Sequence, residues 1–152
     1  MYATKMTRHM DAPPAVVYRA LLDPAAVAAW RVPDGMTCEV HEFEPRVGGA
    51  FRVSLTYDAP GASGKSEGRT DTYAGTFVEL VQDRKVVERL RFETADPQLA
   101  TPMTMTTTLT ATAPGTEVTI LHEGVPDAVP AADNEAGTRM ALERLARLVV
   151  QM

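Results

Sequence analysis

The sequence has one cysteine, no long apolar run and no excess of positive charge, and each lack excludes a class of protein. The single cysteine, Cys38, excludes an internal disulfide and suits a reducing cytoplasm. No apolar stretch approaches the roughly 20 residues of a membrane-spanning helix, and residues 1–6 lack the apolar core of a signal peptide. We therefore expect a cytoplasmic protein without a membrane span. A net charge of −5 argues against nucleic-acid binding, which depends on clustered cations.

Several catalytic and ligand-binding motifs are also missing. His9, His41 and His122 are far apart and near no second cysteine, so they predict no metal site. The Gly-Gly pair at 48–49 does not open a helix, which argues against a phosphate-binding loop. There is no Gly-x-Ser-x-Gly nucleophile motif, and Cys38 has no obvious base beside it, which favours a small buried apolar role. We expect no cofactor.

The composition is that of an ordinary globular domain, with 45% hydrophobic and 23% charged residues. This length is enough for one core, so we expect a single domain over residues 1–152. Alternating patterns and turn residues predict one strand, two short helices, then a run of strands and a long last helix. The predicted strands cover residues 2–10, 36–43, 50–58, 70–82, 84–94, 102–112 and 116–123.

Proline, capping residues and periodicity predict the three helices. Pro13 and Pro14 open the first, and Asp23 caps the second, which has Pro24 at its first position and ends near Trp30. The third runs from about residue 131 to the end, with an apolar stripe at helical spacing. That stripe consists of Gly137, Ala141, Leu145, Leu148 and Met152, broadened by Met140 and Val149. The opposite face alternates in charge, with Glu135, Arg139, Glu143 and Arg147. We expect Ala141, Leu145 and Leu148 to be buried, and Arg139, Glu143 and Arg147 to be exposed.

A set of motifs in a fixed order resembles a known superfamily. Four motifs occur in this order: Ala12-Pro13-Pro14-Ala15-Val16-Val17-Tyr18, then Glu44-Pro45-Arg46-Val47-Gly48-Gly49-Ala50-Phe51-Arg52, then Gly75-Thr76-Phe77-Val78-Glu79-Leu80, and finally Gly115-Thr116-Glu117-Val118-Thr119. The set is similar to the START-like (helix-grip, SRPBCC) superfamily, and within it to bacterial homologues of the heat-shock-protein ATPase activator. The resemblance spans nearly the whole chain. It implies an α+β helix-grip fold: a curved antiparallel sheet wrapped around a long C-terminal helix, with two short helices after the first strand.

The resemblance also implies an apolar cavity between the sheet and the last helix, for which we expect a volume of about 300–1,000 Å³. Strand alternation then indicates which side chains face it. We expect ligand-binding residues at Trp30, Arg46, Phe51, Tyr57, Tyr73, Phe77, Met103, Met105, His122 and Met140. The segment from Asp58 to Arg69 is rich in Gly, Ser, Ala and Pro, and should form a mobile loop at the cavity mouth.

Glu88 and His122 are the candidate catalytic residues. Glu88 shares a strand face with apolar neighbours, so it should point inward, which is costly for a carboxylate unless it is paired or neutral. His122 shares a face with Val118 and Ile120. The two could pair as an oriented general base or as an anchor for a polar head group. In a pair, burial would raise the carboxyl pKa, and an ionised Glu88 would favour imidazolium at His122. Alternatively, each is structural and bonds to backbone or solvent.

Other positions also have two interpretations. Arg46 either clamps an anionic group with its planar fork or braces the turn through Glu44, where relatives usually have Asp. Trp30 either caps the cavity or fills core, and the methionines either line an adaptable pocket or form a soft core.

Relatives usually carry a Gly-Trp pair early in the last helix. Here the pair is Gly137-Thr138, so an inward Thr138 would leave a larger or more polar pocket.

Three functions are compatible with this sequence. The first is binding of a small apolar or amphipathic molecule between sheet and last helix. The second is a cyclase- or hydrolase-type enzyme on the same scaffold, using His122, Glu88 and a tyrosine. The third is a chaperone-partner module; because residue 2 already enters the first strand, we expect the N-terminal companion domain of the eukaryotic activator to be missing. The sequence leaves open whether the protein forms a homodimer.

Overall fold

The computed structural model describes residues 1–58 and 70–152, which form an antiparallel sheet and three helices. The strands are β1 (Tyr2–Met10), β2 (Met36–Phe43), β3 (Ala50–Tyr57), β4 (Thr70–Val81), β5 (Lys85–Phe92), β6 (Met103–Ala111) and β7 (Thr116–Val125). Within this part of the chain they make one seven-stranded sheet in the order β1-β7-β6-β5-β4-β3-β2. The helices are α1 (Pro14–Leu21), α2 (Pro24–Trp30) and α3 (Ala131–Val149). The predicted α+β helix-grip fold is confirmed.

The two short helices begin where their proline and capping residues predict. Pro14 is the first residue of α1, and the Asp23 side chain accepts a hydrogen bond of 3.0 Å from the backbone N–H of Ala25 at the start of α2. The indole N–H of Trp30, at the end of α2, donates to the Ala20 carbonyl oxygen at 3.0 Å and ties α2 to α1. This arrangement fixes where the chain leaves α2, and Arg31 is the next residue.

The turn between β2 and β3 requires both of its glycines. Gly48 has a φ of 80°, a conformation that disfavours other residues. A Cβ added to Gly49 would lie 2.0 Å from the carbonyl oxygen of Glu44. The turn is also bonded to β4, because the Gly48 N–H donates to the Phe77 carbonyl oxygen at 2.8 Å and the Phe77 N–H donates to the Gly49 carbonyl oxygen at 3.0 Å. The Gly-Gly pair therefore positions the start of β3 against β4.

Helix α3 packs against β1 and both short helices. Its buried residues are Ala141, Leu142, Leu145, Ala146 and Val149. The expected burial of Ala141 and Leu145 and the expected exposure of Arg139 and Arg147 are confirmed. Two expectations were wrong, because Leu148 and Glu143 are both half-buried. Met152, the last residue of the predicted stripe, is exposed.

These differences follow from the number of neighbours around α3. The helix is covered on more than one side, so its buried surface extends to Leu142 and Ala146 beyond the predicted stripe. Glu143 accepts a hydrogen bond of 2.9 Å from Arg8 of β1. Met152 lies beyond the last helical residue. No helix in the two described ranges is long and apolar enough to cross a membrane. Apart from Asp58, the predicted mobile loop from Asp58 to Arg69 lies outside the described residues.

Candidate functional site

A cavity of about 520 Å³ lies between the sheet and α3. Its walls come from α2 and the segment after it, from strands β2 to β7, and from α3 with the segment before it. Most of the lining is apolar, with contributions from Trp30, Met36, Leu55, Leu90, Phe92, Met103, Met105, Ile120, Met140 and Ala141. The volume is within the range expected from the sequence and within that of typical small-molecule sites.

Most of the predicted cavity residues line this space. They are Trp30, Tyr57, Tyr73, Met103, Met105, His122 and Met140. Trp30 is only 3% exposed and also belongs to the core, so its two interpretations are both partly right. Thr138 lines the cavity and donates a hydrogen bond of 2.9 Å to the Asn134 carbonyl oxygen.

Three predicted cavity residues lie elsewhere. Phe51 and Phe77 point inward as their strand faces require, but they pack against each other with ring centroids 5.2 Å apart, and Phe43 packs on Phe77 at 5.4 Å. This aromatic cluster fills its own part of the interior, so neither ring reaches the cavity lining. Arg46 is exposed and bonds to Glu44 with a distance of 2.6 Å between Nη2 and Oε2. It therefore braces the turn, and a cavity-mouth clamp is not its role here.

A buried ion pair, Arg31 with Glu88, lies beside the cavity. Glu88 faces inward and is 4% exposed. Its partner is Arg31, a cavity-lining residue, with 2.7 Å between Nη1 and Oε1; the two side chains are 13% and 5% exposed. The guanidinium also lies 5.1 Å from the Tyr73 ring centroid and 5.9 Å from that of Phe51. Burial alone lowers the pKa of Arg31, but the attraction of Glu88 outweighs it and leaves that pKa above its ordinary value, so the guanidinium stays charged.

His122 does not pair with Glu88. In the sheet register Glu88 is opposite Met105, and Met105 is opposite His122, so the two candidate residues are separated by two strand spacings, about 10 Å. The Nδ1 atom of His122 instead lies 3.1 Å from the amide nitrogen of Asn134. Its Nε2 atom is buried and has no hydrogen-bond partner among the described residues.

The electrostatics of His122 also differ from the expectation. Burial, with a smaller contribution from the Arg31 charge, lowers the pKa of His122 to about 4. The imidazole is therefore neutral at pH 7, whereas pairing with Glu88 would have favoured imidazolium. Sequence reasoning missed both Arg31 and Asn134. The sequence position of Arg31, directly after Trp30 at the end of the predicted second helix, could have indicated that it lies near the cavity.

Tyr73 supplies another polar group to the cavity lining. Its hydroxyl is buried and has no hydrogen-bond partner among residues 1–58 and 70–152, although the Arg31 guanidinium lies close by. Burial raises the pKa of this phenol, and the Arg31 charge opposes that rise only in part. Asp71 is also buried in the lining, and it already has an interaction partner. The cavity thus combines apolar walls with a few buried polar groups.

Two further expectations concern reactive and metal-binding groups. Cys38 is half-buried, and burial raises its thiol pKa while the Arg31 charge opposes the rise, which fits an apolar packing role. No group of three or more His, Cys, Asp and Glu side chains in the described part of the chain is arranged to hold a metal ion.

Comparison with known proteins gives one family match and several structural neighbours. Residues 11–150 match the family described as Activator of Hsp90 ATPase homolog 1-like protein. Protein CV1439 from Chromobacterium violaceum is 35% identical, with a TM-score of 0.88, and the alignment covers 97% of this chain and 96% of that one. A protein from Rhodobacter sphaeroides is 22% identical over 99% of this chain and 94% of its own, with a TM-score of 0.78. A protein from Arthrobacter aurescens is 18% identical over 99% and 87%, with a TM-score of 0.80. No curated protein matches the chain.

The last two neighbours show the shared fold alone, whereas the family match covers nearly the whole chain and the Chromobacterium protein is similar in both sequence and structure. The motifs around the Gly-Gly turn, the helix-grip architecture and these comparisons agree. This chain belongs to the Activator of Hsp90 ATPase homolog 1-like family of the START-like superfamily.

Proposed function

We propose that this protein binds a small apolar or amphipathic molecule in the cavity between its sheet and α3. The observation that carries the proposal is a largely apolar cavity of about 520 Å³ whose lining includes Tyr73 and His122. The Tyr73 hydroxyl and the Nε2 atom of His122 are buried and have no hydrogen-bond partner among the described residues. An unsatisfied buried polar atom is costly, on the order of 1–3 kcal/mol. A ligand with an apolar body and a polar group would cover the walls and supply the missing hydrogen bonds.

The geometry gives less support to the enzyme hypothesis. A general base oriented by a carboxylate requires the two groups to be within hydrogen-bond reach. Glu88 is instead bonded to Arg31, and His122 is bonded to Asn134. The chaperone-partner hypothesis derives its support from the family name, whereas the cavity is a feature of this chain itself. Binding is therefore the function that we favour. We place it in the cytoplasm, where reducing conditions suit the lone thiol of Cys38.

The test is binding of N-phenyl-1-naphthylamine, a neutral dye whose fluorescence rises on transfer to an apolar site. Thr138→Trp should fill part of the cavity, because Thr138 lines it and relatives usually carry Trp there. The matched control is Arg139→Trp, which adds the same side chain at the exposed neighbouring position. We expect the wild-type protein and Arg139→Trp to bind the dye with similar affinity, and Thr138→Trp to bind it at least about tenfold more weakly, a difference of about 1.4 kcal/mol.

Circular dichroism of the three proteins would establish that each is folded. Absence of dye binding to the wild-type protein, or equal binding by Thr138→Trp, would contradict the proposal. If the dye binds as expected, native mass spectrometry of protein purified from its own host would identify the ligand class through any small molecule that remains bound.

A further inference from the structure

We propose that the ligand of this cavity is an uncharged molecule with a hydrogen-bond acceptor, such as a ketone or other carbonyl oxygen, which accepts the N–H of His122 at Nε2. This inference rests on the proposed binding function and specifies the chemistry of the ligand. It depends on the hydrogen-bond partners of His122 and on the balance of charge around the cavity.

The partners of Asn134 fix which nitrogen of His122 carries the proton. The Thr4 hydroxyl donates to the Asn134 side-chain oxygen with 2.5 Å between the oxygen atoms, which is at the short end of the range for O–H···O bonds and below the range for N–H···O bonds. The other end of the amide is therefore its NH2 group, which lies 3.1 Å from His122 Nδ1. An NH2 group can only donate, so Nδ1 must be the acceptor.

A neutral imidazole that accepts at Nδ1 carries its proton on Nε2. Protonation of both nitrogens would direct an N–H at the Asn134 NH2 group, so the contact itself disfavours imidazolium, in agreement with the lowered pKa of His122. The Nε2 atom is buried and has no partner in the described part of the chain, and the His122 side chain contributes to the cavity lining. His122 therefore offers the cavity an unused hydrogen-bond donor, and the group that best satisfies it is an acceptor.

The charges around the cavity disfavour an anionic ligand. Arg31 is the one cationic side chain among the described lining residues, and Glu88 already neutralises it at 2.7 Å. The lining also contains the carboxylates of Asp71 and Asp133, and that of Asp34, which is paired with Arg144 at 3.0 Å. A carboxylate or phosphate head group would lose its hydration without meeting an uncompensated positive charge. An uncharged acceptor such as a carbonyl oxygen loses much less on entering this site.

Three naphthalenes of similar size test the proposal by isothermal titration calorimetry. The probes are 2-acetylnaphthalene, which carries a ketone, 2-ethylnaphthalene, which has no acceptor, and 2-naphthoate, which is anionic. In the wild-type protein we expect the ketone to bind about two- to tenfold more tightly than the hydrocarbon, the range that one net hydrogen bond provides. The naphthoate should bind most weakly. In His122→Phe the ratio of ketone to hydrocarbon affinity should fall to about one, and His9→Phe, at an exposed histidine outside the cavity, should keep the wild-type ratio.

A second measurement does not depend on how the variants fold. In ¹⁵N NMR of the wild-type protein, His122 should show a protonated Nε2 and an unprotonated Nδ1, and the Nε2 signal should shift when 2-acetylnaphthalene is added. A proton on Nδ1, equal affinities for ketone and hydrocarbon, or a preference for naphthoate would overturn the proposal. Binding of 2-ethylnaphthalene that Thr138→Trp weakens would still support the proposed function, whereas failure of all three probes to bind the wild-type protein would overturn both.

Discussion

Removing one member of the Arg31–Glu88 pair should destabilise the protein far more than removing both. Each side chain is largely buried, so Arg31→Met or Glu88→Leu alone leaves an uncompensated charge inside the protein. Losses on breaking a buried pair are about 3–5 kcal/mol. The double variant has no buried charge at this place, and its apolar side chains approximate the lost volume. We therefore expect it to be more stable than either single variant.

The double variant should be close to the wild-type protein in stability, because it avoids the desolvation of two charges but loses the ring contacts of the guanidinium. The Arg31 guanidinium contacts the Tyr73 and Phe51 rings, and such cation–π contacts contribute about 0.5–2 kcal/mol. Urea unfolding followed by circular dichroism would give the free energy of unfolding of all four proteins, with equal m-values as the check that the unfolded states are comparable.

A matched control is available at the surface, where Arg52 and Glu93 form two bonds of 2.8 and 3.0 Å with side chains 42% and 41% exposed. The same substitutions, Arg52→Met and Glu93→Leu, should show much weaker coupling, because solvent screens the exposed pair. The prediction is contradicted if Arg31→Met and Glu88→Leu are each as stable as the wild-type protein. It is also contradicted if the buried and surface pairs have the same coupling free energy.

Three further predictions concern single residues. The folded pKa of His122, about 4, lies below the ordinary value of 6.5. As pH falls below 6.5 the unfolded chain therefore binds more protons than the folded protein, and this group should lower the free energy of unfolding by about 2 kcal/mol between pH 7 and 5. In a pH series of urea unfolding, His122→Phe should lack this contribution. An equal dependence of stability on pH in His122→Phe and the wild-type protein would contradict the lowered pKa of His122. Asp23→Ala should lower the free energy of unfolding by about 1 kcal/mol, because it removes the side-chain cap of α2. Asp23→Asn should retain most of that free energy, because asparagine can also cap a helix. Equal stability of the two variants would count against the cap. Gly49→Ala should lower the free energy of unfolding by more than about 1 kcal/mol, because the new Cβ would lie 2.0 Å from the Glu44 carbonyl oxygen. Gly137→Ala in α3, where the Pro33 side chain would be 3.9 Å from the new Cβ, should instead stabilise the protein by about 1 kcal/mol. Thermal melts that place the two variants in the opposite order would refute this comparison.

Features that depend on neighbouring residues in the chain could be read from the sequence. The Asp23 cap on α2 is set within a few residues, and the structure has it as predicted. The requirement for glycine at 48–49 also arises within its own turn. Alternation along β5 correctly placed Glu88 on the inner face, because successive side chains of a strand point to opposite sides. The ordered set of motifs then indicated the family and with it the helix-grip arrangement.

Alternation, however, gives the face of a strand and not the position along that face or the partner. Phe51 and Phe77 are on the inner face as predicted, yet they pack into an aromatic cluster and not along the cavity. The position of each ring relative to the cavity depends on how the sheet curves around α3. Local sequence does not encode that curvature.

The order of strands and helices, the inward faces and the family of this protein follow from periodicity, turn chemistry and a set of motifs, all of which can be read from the sequence. The partners of the buried polar groups around the cavity depend on how the elements pack in three dimensions. Arg31 meets Glu88 across 57 residues of sequence because α2 docks over the sheet, and His122 meets Asn134 because the chain turns back after β7 into the first turn of α3. A buried charge or hydrogen-bonding group takes the complementary group that packing brings within about 3 Å, and packing is a property of the whole fold.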